Sequence, residues 1–183
     1  MTKVVRRLLA GSPENRFMVE CAVLADGVTS PSSDVLDSLK AGILTPDPDR
    51  KEGDPWPDEE QPVDYYKFMA MLRHLLKHGE PEHQREVNDL EAGVWEFKIS
   101  TKRLTFFDTD GAGSFEPKLR ILAIEKAPYP DSDFWWFPEF EHILRVGHAF
   151  VKTGPQAGAD NIRMSQEVRR EDLAHDNQTE IQA

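Results

Sequence analysis

The chain predicts an α+β fold: an antiparallel β-sheet with N-terminal helices and a C-terminal helix packed on it. Three features carry that expectation. Apolar residues alternate at period two over Phe17–Leu24 and again over Val94–Ile99. They recur at helical spacing between Asp64 and His78. The element order, β-α-α-β-β-(β)-β-α, lacks the strict strand–helix alternation of a parallel sheet. The 183 residues suit a single domain, 1–183, and are enough for a sizeable core.

Phe17, Val19, Cys21 and Val23 alternate with Met18, Glu20, Ala22 and Leu24, predicting the first strand. Asp26-Gly27 turns the chain, and Ser32 or Ser33 can cap a short helix with the stripe Val35, Leu36, Leu39 and Ile43, closed by Gly42. The next helix is the clearest: Asp64 as its cap, Tyr65, Phe68, Met69, Leu72, Leu75 and Leu76 on one face, and Gly79 then Pro81 as its stop. Val94–Ile99 and Arg103–Asp108 read as a hairpin, Leu119–Ile124 as an ambiguous apolar run, and Ile143–Lys152 as a late strand. Asp160 caps a last helix to about Leu173, leaving 174–183 as a flexible acidic tail. Residues 111–142 form an insertion that contains the run Phe134-Trp135-Trp136-Phe137.

Charge is unevenly placed. The formal net charge is -11. Between Pro46 and Asp64 lie eight acids, two bases and five prolines, an extended solvated loop with a balance of -6. Glu171–Ala183 adds four acids and neither Lys nor Arg. The acidity therefore concentrates in two segments, and Arg145–Arg170 is locally basic. Nucleic-acid binding, which needs Lys and Arg against phosphate, is thus not excluded by the overall sign. A single cysteine, Cys21, cannot form an internal disulfide or a cysteine zinc site. The longest apolar runs are five residues, far short of a membrane span, and no secretory leader is evident, so a cytoplasmic address with no membrane partner is expected.

His74 and His78 lie four apart with His83 nearby, a spacing that can hold a metal, but Arg73 and Lys77 beside them favour a solvated basic helix face. Asp108-Thr109-Asp110-Gly111 opens like a calcium loop. Ala112 and Leu119 then stand where oxygen ligands are needed, so a turn is expected instead. No cofactor and no metal are called for. What remains is a set of bases on strands. Lys98 and Arg103 flank the turn Ser100–Lys102, and His148 and Lys152 share a face of the late strand by parity. If those strands are neighbours, the four converge on one sheet face, where they can bind a phosphodiester and stabilise its pentavalent transition state. Lys102, Arg145, Arg163, Arg169 and Arg170 extend this as candidate RNA-binding residues. Phe134, Trp135 and Trp136 are candidates for partner docking or for core, in preference to base stacking.

The segments Glu91–Ile99 and Arg103–Phe107, then Gly147–Thr153, then Asn161–Leu173, resemble in order the hairpin, late strand and closing helix of RelE/HigB-like toxins of bacterial toxin–antitoxin systems. The resemblance spans roughly 60–173, and Phe17–Ile43 more loosely. It implies a RelE-like sheet, here with an added loop insertion, and an endoribonuclease that cuts mRNA on the ribosome and so inhibits translation. It also implies a cognate antitoxin, usually a helix-turn-helix protein. Carried over by position, Arg103 grips the scissile phosphate, Lys98 and Lys152 stabilise charge or shuttle protons, and His148 is an acid/base candidate. The implied step is attack by the substrate's own 2′-hydroxyl, leaving a 2′,3′-cyclic phosphate and requiring no metal. The alternative of another class is a non-catalytic protein-binding or regulatory module on the same fold.

Overall fold

The computed structural model describes residues 4–111, 113, 115–122, 135–155 and 157–180. Strands β1 (Leu8–Gly11) and β2 (Met18–Cys21) precede helices α1 (Pro31–Ala41) and α2 (Glu60–His78). Then come β3 (Val87–Glu91), β4 (Val94–Ile99), β5 (Lys102–Thr109), the two-residue strands β6 (Ile121–Leu122) and β7 (Trp135–Trp136), β8 (Ile143–Val151) and the closing helix α3 (Ala159–Glu180). Six strands form one sheet in the order β1-β2-β8-β5-β4-β3, antiparallel except where β2 runs parallel to β8. The α+β expectation holds, with helices on both faces of a mostly antiparallel sheet.

One face carries the main core. Period-two positions Val19, Cys21, Trp95, Phe97, Leu104, Phe106, Leu144 and Val146 meet Leu36, Leu39, Phe68, Leu72 and Leu75 from α1 and α2, all essentially excluded from solvent. Phe97 stacks on Phe106 at 4.1 Å between centroids, and Phe68 meets Phe97 edge-on at 5.6 Å. Each such side chain contributes roughly 1.5–3 kcal/mol by burial. Phe137 and Phe140, at the end of the insertion, pack edge-on against Trp95, so this part of the insertion is core. On the other face, α3 lays Val168 and Leu173 over Ala22 and Phe107. It runs antiparallel to β8: Asn161 meets His148 at one end and Asp172 meets Arg145 towards the other.

Several boundaries differ from the sequence reading. The first helix starts at Pro31 behind Ser30. Ser32 does not cap it but donates its hydroxyl to the Val146 carbonyl at 2.7 Å, joining α1 to β8. Helix α2 begins at Glu60, because Asp58 Oδ1 accepts from the amides of Glu60 and Gln61. Asp64 lies within that helix and faces a lysine. Helix α3 continues to Glu180, so the stretch from 174 to 180 is helical and not a loose tail. Strands β1 and β3, at the two edges of the sheet, had no sequence signal strong enough to be read.

Two glycines lie where other elements approach the sheet closely. Gly93, in the β3–β4 turn, has φ 79°. A Cβ there would come within 2.6 Å of the Phe115 ring and 2.8 Å of Pro117 Cα, where the insertion crosses the turn. Gly147 sits under α3, where a Cβ would stand 3.2 Å from Phe107 and 3.4 Å from Val168.

Candidate functional site

The register of the hairpin determines the site. Lys98 and Arg103 are direct partners across β4 and β5, and Arg103 is in turn opposite Phe150 on β8. Cross-strand partners share a face, so Lys98, Arg103 and Phe150 project away from the α1/α2 core, and Lys152 follows Phe150 by parity. The β5–β8 ladder slips between Leu104 and Phe106, setting Gly147 and His148 together against Thr105. Such a bulge re-aims side chains: Val146 and Ala149 stay in the main core, while His148 joins the Arg103 face and reaches α3. All four residues expected to carry chemistry lie on this face.

The sequence reading missed the acid among them. Glu96, on β4, stands opposite Thr105 of β5 and Asn88 of β3, and is only 3 % exposed. Its Oε1 lies 3.7 Å from Arg103 Nε, and its Oε2 is buried with no hydrogen-bond partner. Burial pushes its carboxyl above the usual glutamate range, against the pull of Arg103, Asn88, Lys98 and Lys152. The signal was present: strict alternation in Val94–Ile99 puts Glu96 and Lys98 on one side. Its meaning was not, because only the sheet order shows that this side also receives bases from β5 and β8.

Electrostatics within the cluster are mutual. Burial lowers the proton affinity of Lys98, and the like charges of Arg103 and Lys152 reinforce that while Glu96 opposes it. Burial also weakens the hold of Arg103 on its proton, with Glu96 and Asp49 acting the other way. Arg103 Nη1 donates to the carbonyls of Ser100 and Lys102, both at 2.8 Å, tying the guanidinium to the β4–β5 turn. His148 is held below the usual imidazole range by burial, with its bond to Asn161 opposing. Three cations and one carboxylate that act on one another, with a neutral imidazole on the same face, can bind an oxyanion, spread its added charge and move protons.

The other candidate bases are placed elsewhere. Lys102 points to the opposite face from Arg103, its side chain 4 % exposed. There it bonds Asp47, Asp49 and Asp64 at 3.1, 2.8 and 2.9 Å, and these carboxylates raise its pKa against the effect of burial. It therefore fastens the acidic loop and is not free for RNA. Arg145 is buried under α3, pairing with Glu20, Asp172 and Asp176. Arg169 lies over the Phe115 ring and donates to the Ala92 carbonyl, and burial lowers its pKa to about 10. Arg163 and Arg170 are exposed on α3, paired within the helix to Asp160 and Glu167. Phe134 lies outside the described residues, and Trp135 and Trp136 pair by backbone with Leu122 and Ile121. His74 and His78 lie side by side on α2 with centroids 4.3 Å apart, and among the described residues no group of His, Cys, Asp and Glu is arranged to hold a metal.

Compared with known proteins, the chain matches no family model, no curated protein and no solved structure. No helix among the described residues is long and apolar enough to cross a membrane.

Proposed function

We propose that this chain is a RelE/HigB-like endoribonuclease toxin that cuts mRNA on the ribosome and is restrained by a cognate antitoxin. The observation that carries the reading is the meeting of Lys98, Arg103, Lys152, Glu96 and His148 on one sheet face, drawn from three strands and the residue that follows the last. In the proposed reaction the substrate's 2′-hydroxyl attacks the adjacent phosphorus and the bond to the 5′-oxygen breaks. His148, neutral near pH 7, takes the 2′ proton. The leaving 5′-oxygen takes a proton from Lys98, whose lowered affinity makes it the better donor. Arg103 and Lys152 hold the phosphorane charge, and the products are a 2′,3′-cyclic phosphate and a 5′-hydroxyl.

Primer extension on mRNA from a translating extract tests this directly. Codon-spaced cuts that appear only with the protein are expected, and expression without a partner should arrest growth. Lys98→Ala should slow cleavage about a hundredfold or more, the usual effect of removing a positioned general acid, and relieve the arrest with the circular dichroism spectrum unchanged. Arg103→Ala should do the same for cleavage, but it also strips Glu96 of its nearest counter-charge. Arrest undiminished when both are replaced overturns the assigned site. A second reading, a binding module without catalysis, is favoured by one observation: Arg103 Nη1 is already engaged by two carbonyls. It predicts no RNA cleavage in the same extract, with binding to a protein partner instead.

A further inference from the structure

His148 is fastened from several directions. Its carbonyl accepts from Thr105 Oγ1 at 2.8 Å, its ring lies nearly parallel to Phe150 with centroids 5.6 Å apart, and its Nε2 stands 3.1 Å from Asn161 Oδ1. Asn161 is itself immobilised by main-chain bonds. Its amide donates to the Gly158 carbonyl, and its own carbonyl accepts from the buried Ser165 hydroxyl at 2.6 Å. The side-chain amide is therefore held at the imidazole by the start of α3, and its substitution leaves those main-chain bonds in place. An amide oxygen can only accept, so the nitrogen facing it must carry the proton. The other ring nitrogen, Nδ1, has no hydrogen-bond partner among the described residues.

We propose that Asn161 is a positioning residue that fixes His148 in the tautomer protonated at Nε2, leaving Nδ1 as the atom that takes the proton of the attacking 2′-hydroxyl. The proposal rests on the reading of this face as a nuclease site and deepens it. In the step, the O2′–P bond forms as the O2′–H bond breaks, the proton passes to Nδ1, and the imidazolium keeps its Nε2–H on Asn161. The second ring nitrogen thus needs no rearrangement when the charge develops, the role that a hydrogen-bonded partner plays for acid/base histidines generally. The charged residues nearest it along the surrounding elements are Arg103 on β5, Lys152 after β8, and Asp160 and Arg163 near the start of α3. None bonds the ring among the described residues. Asn161 is the polar side chain that reaches it.

Nuclear magnetic resonance of the ring nitrogens, assigned by comparison with His148→Gln, tests this without reference to activity. The full-length protein should show a protonated Nε2 and an unprotonated Nδ1 near pH 7. Asn161→Asp should raise the His148 titration midpoint, since a carboxylate favours the imidazolium. Asn161→Ala should lower it, since the bond that opposes burial is gone. The acid limb of the RNA-cleavage pH profile should move with the midpoint in each variant, and Asn161→Ala should lower cleavage up to about a hundredfold at neutral pH. A midpoint unmoved in both variants, or a protonated Nδ1 in the unsubstituted protein, overturns the proposal. The tautomer and midpoint order without any RNA cleavage at any pH would uphold the Asn161–His148 assignment and remove the nuclease reading instead.

Discussion

Glu96 is the residue whose chemistry is least explained by packing. A carboxylate that is 3 % exposed, with one oxygen lacking a hydrogen bond, costs stability unless neighbouring cations offset it. Its raised proton affinity says that they do so only in part. The folded state therefore binds the Glu96 proton more tightly than the unfolded chain, and stability falls as pH rises from the ordinary glutamate value through the raised one. Glu96→Gln removes that dependence. It should raise the melting temperature at pH 7–8, with the gain shrinking to nothing as pH is lowered into the range where Glu96 is protonated in both states. A gain that does not vary with pH would mean that the substitution acts by packing alone. The same substitution should weaken cleavage, because Arg103 loses the carboxylate nearest its Nε.

Among the elements, the turn between β4 and β5 does two jobs at once. Adjacent residues in a strand point to opposite faces, so Lys102 and Arg103 divide the chemistry. Arg103 faces the candidate site, and Lys102 gathers Asp47, Asp49 and Asp64 on the helix side. Asp49 also accepts from the Thr101 amide and hydroxyl, at 3.2 and 2.6 Å. The proline-rich acidic segment is thus tied to the turn from the side opposite Arg103. It does not lie as a lid on the basic cluster, although the charge of Asp49 still helps keep Arg103 protonated. Replacing Lys102 by Met leaves three carboxylates around an apolar tip, two of them almost fully buried. Breaking a buried ion pair from one side typically costs about 3–5 kcal/mol, and thermal or urea unfolding should register a loss of that size. A loss under 1 kcal/mol would mean that the clamp is solvated in solution. The insertion behaves differently: its end, Phe137 and Phe140, adds to the main core, and its start crosses Gly93 with Phe115 packed under Arg169.

For the whole molecule, the formal charge of -11 is a poor guide to the field at the site. Among the described residues, five of the acids in the two acidic segments are used on buried bases: Asp47, Asp49 and Asp64 on Lys102, and Asp172 and Asp176 on Arg145, with Arg6 joining the last two. The local basic excess of Arg145–Arg170 is likewise reduced, because Arg145 is enclosed and Arg169 is turned onto Phe115. On the face of the candidate site, the cations placed to meet a phosphate backbone are Lys98, Arg103 and Lys152. Each phosphate neutralised on a single strand contributes about -0.7 to the slope of log affinity against log salt, so three contacts predict a slope of about -2. Fluorescence anisotropy of a labelled single-stranded RNA over a salt series measures it. A slope of about -3.5 would require the exposed Arg163 and Arg170 to take part as well, on the same counting.

The amino-acid pattern by itself determined the fold class and the faces of the strong elements. Alternation in Val94–Ile99 and the helical stripe of Tyr65, Phe68, Leu72 and Leu75 are local periodicities, and burial follows from them directly. It also placed Lys98, Arg103, His148 and Lys152 on the surfaces where they are found, because parity along a strand and register across a tight hairpin are short-range facts. The edge strands Leu8–Gly11 and Val87–Glu91 were not legible, since they are short, only partly buried and patterned mainly by their neighbours. Only the tertiary structure decided which charges are free. Lys102 and Arg145 look the same as Arg103 in a list of bases, and their carboxylate partners lie 27 to 55 residues away for the loop and α3 contacts. The role of Glu96 and the seat of Asn161 against His148 depend on strands and a helix that meet only when the chain is folded. Electrostatic partnership is decided by distance in space, and a sequence orders residues only along the chain.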